Sequence, residues 1–263
     1  MSDLDRIQRD AQRQFDRQSE RYGRGHILAD TADIELALAH VLATGGRRAL
    51  DVATGGGHTG LYLAAHGWDV TLADIAPGML RQAGKLAAER GLQVQFAQHT
   101  AERLPHADGS FNLVACRVAA HHFSDPAAFI CESARVLAPG GSLLLIDGAA
   151  PDNEPEAEAW IHSVEKLRDP SHHRFLTPCA WQELCGADGL NVVWTHVQPF
   201  KQPDLDWYFE TAATPPDNRD AVLELIRTAP EHVREVFQLA EEDGRIVWWW
   251  LRLLLVATKP VRS

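Results

Sequence analysis

Twelve residues, Leu50-Asp51-Val52-Ala53-Thr54-Gly55-Gly56-Gly57-His58-Thr59-Gly60-Leu61, constrain this chain more than any others. The apolar start reads as a buried strand, the glycines as a turn, and the stretch from His58 as a helix. Successive glycines let the backbone take positive φ and leave no Cβ between main chain and ligand. The helix start adds unpaired N–H groups, a seat for a carboxylate or phosphate. Such a stretch predicts an α/β fold that lays a small cofactor against bare backbone. Gly55, Gly57 and Gly60 satisfy GxGxxG, and Asp74 follows at the end of the next strand, as a dinucleotide site requires. Asp51 argues against a dinucleotide, because it puts an acid in a strand position where those folds carry apolar residues.

From Arg48 onward strands and helices alternate, which argues a mostly parallel sheet with helices on both faces. Strands are expected at 49–53, 68–74, 94–99, 111–116, 142–147, 191–197 and 245–259. Helices are expected at 58–65, 77–89, 126–137, 152–169 and 178–187. Upstream, 3–22 and 33–42 are helix-prone around the Gly23-Arg24-Gly25-His26 break. These segments suggest an N-terminal helical lid over 1–44, a core over 45–202, a helical cap insertion over 203–244 and a final core strand in 245–263. The leading helices read equally as a lid or as a surface element docked on the core.

A length of 263 residues and a hydrophobic fraction of 45% suffice for one large α/β core. A net charge of −11 argues against nucleic acid, which needs a basic footprint. Cys116, Cys131, Cys179 and Cys185 form no CxxC pair, as expected of free thiols in a cytoplasmic protein. No apolar run stands near Met1 to suggest a signal peptide. The longest apolar run, Ile246 to Thr258, contains Arg252 and is too short for a membrane span. Despite 13 histidines, no metal-ligand spacing appears, so no metal is expected.

Further segments follow the glycine loop in a telling order: Ala101-Glu102-Arg103-Leu104-Pro105, Asp108 to Val114, His121-His122-Phe123-Ser124-Asp125-Pro126 and Val136 to Gly141. With Asp-x-Ala-x-Gly-x-Gly at Asp51–Gly57, they resemble class I S-adenosylmethionine-dependent methyltransferases. The resemblance is to the branch holding the ubiquinone/menaquinone C-methyltransferases, and Arg168 to His172 is similar to bacterial members without an assigned substrate. It implies a Rossmann-like class I methyltransferase fold: a seven-stranded, mostly parallel sheet with an antiparallel last strand, plus a helical cap. It also implies S-adenosylmethionine as cofactor. Asp51, Gly55 and Gly57 would contact its methionine end, Ala53 would belong to the same cofactor-binding loop, and Asp74 would take the ribose diol. Ile75 and Met79 would flank the adenine, or serve only as core, and Ala101 and Glu102 would lie along the adenine edge. Cys116 and Arg117 would face the transferring methyl. Ala53 replaces the family's first glycine, and Thr100 stands where the family usually has Asp.

The activity so implied is methyl transfer to an oxygen or activated carbon of a quinone-, aromatic- or polyketide-like small molecule. His121 and His122 are the candidate bases, since imidazole titrates near neutral pH, although a structural role in their loop explains them equally. Tyr22, His26, His172, Arg174 and Trp207 are candidate acceptor contacts from the lid and cap, with a solvated loop as the alternative for His172 and Arg174. Tyr208 and Phe209 either wall the pocket or pack the cap, and Trp248 to Trp250 read as core and cap contacts. A cyclase or lyase using the same cofactor, and a catalytically silent cofactor-binding protein, stay open as alternatives. So do monomer and homodimer.

Overall fold

The computed structural model describes residues 3–23, 27–42 and 45–261. In chain order these form α1 (Asp3–Gln18), α2 (Ala32–Leu38), β1 (Arg48–Val52), α3 (His58–Ala65), β2 (Asp69–Asp74), α4 (Pro77–Glu89), β3 (Gln95–Gln98) and β4 (Phe111–Arg117). Then come α5 (Pro126–Val136), β5 (Leu137–Ala149), α6 (Pro155–Arg168), α7 (Pro178–Ala187) and β6 (Asn191–Lys201). The chain ends with α8 (Leu205–Ala212), α9 (Pro216–Arg227), α10 (Glu231–Val236), β7 (Ala240–Glu242), β8 (Arg245–Val247) and β9 (Trp249–Thr258).

Seven strands make one sheet in the order β3-β2-β1-β4-β5-β9-β6, with β9 antiparallel to both neighbours and the others parallel. This is the expected architecture. One face is covered by α2, α3 and α4 through Ile34, Leu61, Leu63, Ala83 and Leu86. The other is covered by α5 and α7 through Phe129, Ile130, Trp181 and Cys185. A third apolar cluster joins α6 to α8, α9 and α10 around Trp160, Phe175, Tyr208, Phe237 and Trp248. Caps at the helix starts are local: Asp125 accepts from Ala128 N at 3.0 Å ahead of Pro126, and Asp204 accepts from Trp207 N at 2.7 Å. Among the described residues no helix is long and apolar enough to cross a membrane.

Two local features depart from expectation. The Pro139-Gly140-Gly141 turn does not precede β5 but lies within it, as a bulge where the register with β4 slips between Phe111 and Leu113. The expected last strand is broken at Trp248, and its first part pairs with β7 as a hairpin. Asp243 (φ 49°) and Gly244 (φ 74°) both occupy the left-handed region there, as a two-residue hairpin turn demands. The segment between β6 and β9 is therefore not wholly helical.

Candidate active site

Strand order reverses between β1 and β4, and in an open parallel sheet a crevice forms at the carboxyl ends of the strands beside such a reversal. A cleft of about 730 Å³, part of it open to solvent, lies there, lined in large part by the residues that follow β1, β2, β3 and β4. After β1 these are Ala53, Thr54 and Gly55, with Ala53 (φ 53°) and Gly55 (φ 53°) both left-handed. Gly57 and Asp51 sit behind this turn and do not line the cavity. A Cβ on Gly57 would meet Ala83 Cβ at 2.9 Å, so this glycine lets the loop press on α4. Asp51 is 1% exposed, and its Oδ2 accepts from Gly60 N at 2.8 Å and from the Thr54 hydroxyl. It thus ties the strand end to the first turn of α3. Burial outweighs these hydrogen bonds and pushes its carboxyl up to about 7.

Asp74, Ile75 and Met79 form the wall beyond β2. The Asp74 carboxylate accepts from Gly55 N at 2.9 Å and Ala76 N at 2.8 Å, so it also pins the glycine turn. Burial raises its carboxyl to about 6. His99, Thr100, Ala101 and Glu102 continue the wall, and Glu102 Oε1 accepts from Ser124 N at 2.9 Å and Ser124 Oγ at 2.8 Å. Cys116 is wholly buried in the core beneath and does not reach the cavity; burial drives its thiol well up. Arg117 does line it, but its guanidinium ion-pairs with Asp33 at 2.9 Å and donates to the carbonyls of Leu28 (2.8 Å) and Asp30 (2.6 Å). Gln8, Ala11 and Phe15 of α1 close the cavity from above. That helix is fixed to both halves of the molecule: Asp16 Oδ1 accepts from Gly78 N at 2.7 Å, and Gln14 Nε2 donates to Ala212 O at 2.9 Å.

A second chamber of about 650 Å³, part of it open to solvent, adjoins the first, and Phe15, Leu28, Val118 and His122 line both. Phe200, Trp207 and Trp250 give it aromatic walls, and His121, Arg168, Asp169 and Arg252 give it charge. His121 Nδ1 lies 2.7 Å from Asp147 Oδ1, and His121 N donates to Asp147 Oδ2 at 2.7 Å. Burial opposes protonation of this ring, but the charge and hydrogen bond of Asp147 outweigh it and the pKa is raised. His122 goes the other way: burial and the neighbouring His121 push it down to about 4. The two adjacent imidazoles are thereby pushed in opposite directions.

The remaining expected contacts scatter. Trp207 lines the second chamber, whereas Tyr208 and Phe209 are buried in the cap cluster. His172 is 1% exposed and packs edge-on against Phe175 at 4.7 Å, with neither ring nitrogen hydrogen-bonded; burial pushes its pKa down. Arg174 lines neither cavity and pairs with Glu158 at 2.6 Å on the surface. His26 lies outside the described residues, and Tyr22 is described only as part of a short 3-10 turn, Ser19–Tyr22. Asp147, Arg168, Phe15 and Phe200 are not among the site residues expected from the sequence. Arg252 carried the one available signal, a lone charge within an apolar run.

Residues 50–145 match the family described as a methyltransferase domain. Over 245 residues the chain is 31% identical to YcgJ of Bacillus subtilis, an uncharacterized methyltransferase, covering 92% of this chain and 96% of that protein. The crystal structure of YcgJ superposes with a TM-score of 0.80 at 29% identity, covering 89% of this chain and all of that one (100%). The demethylmenaquinone methyltransferase of Thermus thermophilus is 41% identical over 107 residues, 40% of this chain and 49% of that protein.

Proposed function

Since the chain belongs to the class I methyltransferase family, we propose that it transfers a methyl group from S-adenosylmethionine to an oxygen or activated carbon of a quinone-, aromatic- or polyketide-like small molecule. The observation that carries this reading is the pair of adjoining cavities, one built on the glycine turn and one walled by aromatics, with His122 lining both.

The residues of the first cavity fit the cofactor. Asp74 uses one acceptor site on each oxygen for a backbone N–H, and a carboxylate has about four such sites, so acceptor capacity is left for two ribose hydroxyls. Ile75 and Met79 offer an apolar surface for a purine, with Ala101 and Glu102 along its edge. Ala53, Thr54 and Gly55 leave backbone for the amino-acid part, while Asp51 and Gly57 act from behind by holding that backbone in shape. When bound, the cofactor supplies a methyl group on a cationic sulfur, open to in-line attack.

Positioning and deprotonation of the acceptor fall to the chain. Asp147 binds Nδ1 of His121 and so selects the tautomer that leaves Nε2 as acceptor for a proton. Neutral His121 takes the acceptor's proton there, and the resulting imidazolium is held by Asp147. Phe15 and Leu28, which line both cavities, exclude water from the reacting atoms, with Arg117 anchoring the Leu28 segment. In this reading α1 is a lid that has to move for exchange, since it roofs the first cavity and bonds to cap and core alike.

Isothermal titration with S-adenosylhomocysteine tests the cofactor assignment. Micromolar binding that weakens at least roughly tenfold in Asp74→Asn, through loss of a charge-assisted acceptor, is the expected result. No heat at high micromolar ligand overturns it.

A further inference from the structure

We propose that the acceptor is a carboxylic acid, and that Arg252 in the second chamber binds its carboxylate. The inference rests on that chamber being the acceptor site. Arg252 extends from β9, opposite Gly148 of β5 and Gln198 of β6. Trp250 lies two residues earlier, on the same side of the strand by its alternation, and lines the chamber with it. The guanidinium stands 3.5 Å from the centroid of the Phe200 ring, so its flat face is covered and its N–H edges are what it offers to a ligand.

Its direct counter-ion is shared. Among the described residues the counter-ion of Arg252 is Asp33, at 3.1 Å from Nη1, and that carboxylate also holds Arg117 at 2.9 Å. Arg117 spends its other donors on the neutral carbonyls of Leu28 and Asp30. Two guanidiniums therefore share one ion-pairing carboxylate, and Asp147 and Asp30 add attraction on Arg252 without pairing with it. The other charged groups at the chamber make contacts of their own, although Asp169 keeps its negative charge. Arg168 pairs with Glu165 at 3.1 Å, Asp169 accepts from Ser171 N and Oγ, and Asp147 holds His121. Burial and the proximity of Arg117 press the Arg252 pKa down to about 10, which leaves it cationic at neutral pH but poorly solvated. A carboxylate matches a guanidinium edge with two parallel hydrogen bonds. The aromatic walls of Phe15, Phe200, Trp207 and Trp250 suit a planar body behind it.

The test is a binding panel of benzoate, 4-hydroxybenzoate, phenylacetate and 1-naphthoate, each beside its neutral amide. It is read by tryptophan fluorescence on the full chain, with and without saturating S-adenosylhomocysteine. At least one acid is expected to bind roughly tenfold or more tightly than its amide, the gain from one charged hydrogen-bonding pair. Arg252→Gln removes that preference, and Arg252→Lys keeps part of it. If no acid in the panel outbinds its amide, or if Arg252→Gln retains the preference, the inference fails. If Arg252→Gln folds poorly, Arg252→Lys, which keeps the charge but not the planar fork, carries the assignment to Arg252. Failure of S-adenosylhomocysteine to bind would sink the cofactor assignment separately, because the acid preference is also read without it.

Discussion

Replacing Asp51 by Asn isolates the energetic consequence of placing a carboxyl in the first strand. Both hydrogen bonds that Asp51 accepts, from Gly60 N and the Thr54 hydroxyl, land on Oδ2, so the amide oxygen of Asn can occupy that place and keep both. What changes is the charge. Asp51 titrates near 3.8 in an ordinary setting and near 7 in the fold, because burial disfavours its ionised form. Between those values the native state holds a proton that the unfolded chain has released, so stability falls as pH rises through this window. A shift of about three units is worth roughly 4 kcal/mol at about 1.4 kcal/mol per unit. Asn has no such window. The gap between Asp51→Asn and wild type should therefore move in favour of the variant by roughly 4 kcal/mol from pH 4 to pH 8, measured by urea unfolding at several pH values. Any penalty from the new amide N–H₂ group, about 1–3 kcal/mol if it lacks a partner, offsets the curve without tilting it. The slope from Asp74, whose carboxyl is raised to about 6 chiefly by its own burial, is carried by both proteins, so only its coupling to Asp51 enters the difference. A difference flat to within about 0.5 kcal/mol would refute the buried-carboxyl argument, because a one-unit shift alone is worth about 1.4 kcal/mol.

Ala53 holds a left-handed φ of 53°, which disfavours a side chain, so Ala53→Gly should raise unfolding stability by about 0.5–1 kcal/mol; a lower Tm would contradict this. A Cβ on Gly60 would stand 2.0 Å from Leu72 Cδ2 and 3.0 Å from Asp51 Oδ2, so Gly60→Ala should cost at least about 1–3 kcal/mol. That loss should shrink in a Leu72→Ala background, and a fully additive double-mutant cycle would mean the clash is relieved elsewhere. Because Asp147 raises the pKa of His121, Asp147→Asn should shift the acidic limb of the kcat profile to lower pH and reduce kcat by roughly 10²-fold or more. An unmoved limb would remove His121 from the role of base.

Much of the fold was legible because its signals are local. The strand, glycine turn and helix at 50–61 read directly from residue type, and so did Asp74 at the end of β2, Pro77 at the start of α4 and the Asp125-Pro126 cap. The Asp243-Gly244 hairpin was equally local in its chemistry and was passed over inside a stretch read as helical. Within the first cavity, Ala53, Gly55, Asp74, Ile75, Met79, Ala101, Glu102 and Arg117 were named from the chain alone and do line it. The same list could not separate them from Asp51, Gly57 and Cys116, which stand behind the wall. Side-chain direction at a strand end depends on how the next turn twists, and spacing does not report that.

What the sequence determined by itself is the order of strands and helices and the loop on which the first cavity is built, since each follows from periodicity or from what one residue does to its own backbone. The tertiary structure alone decided the second chamber. His121 meets Asp147 across 26 positions, Arg117 meets Asp33 across 84, and Arg252 meets Asp33 across 219. Each partner is set by where β4, β5 and β9 come to rest side by side and by how α2, which carries Asp33, packs on them. A pairing of charges at such separations carries no local propensity, so it exists only once the sheet has formed.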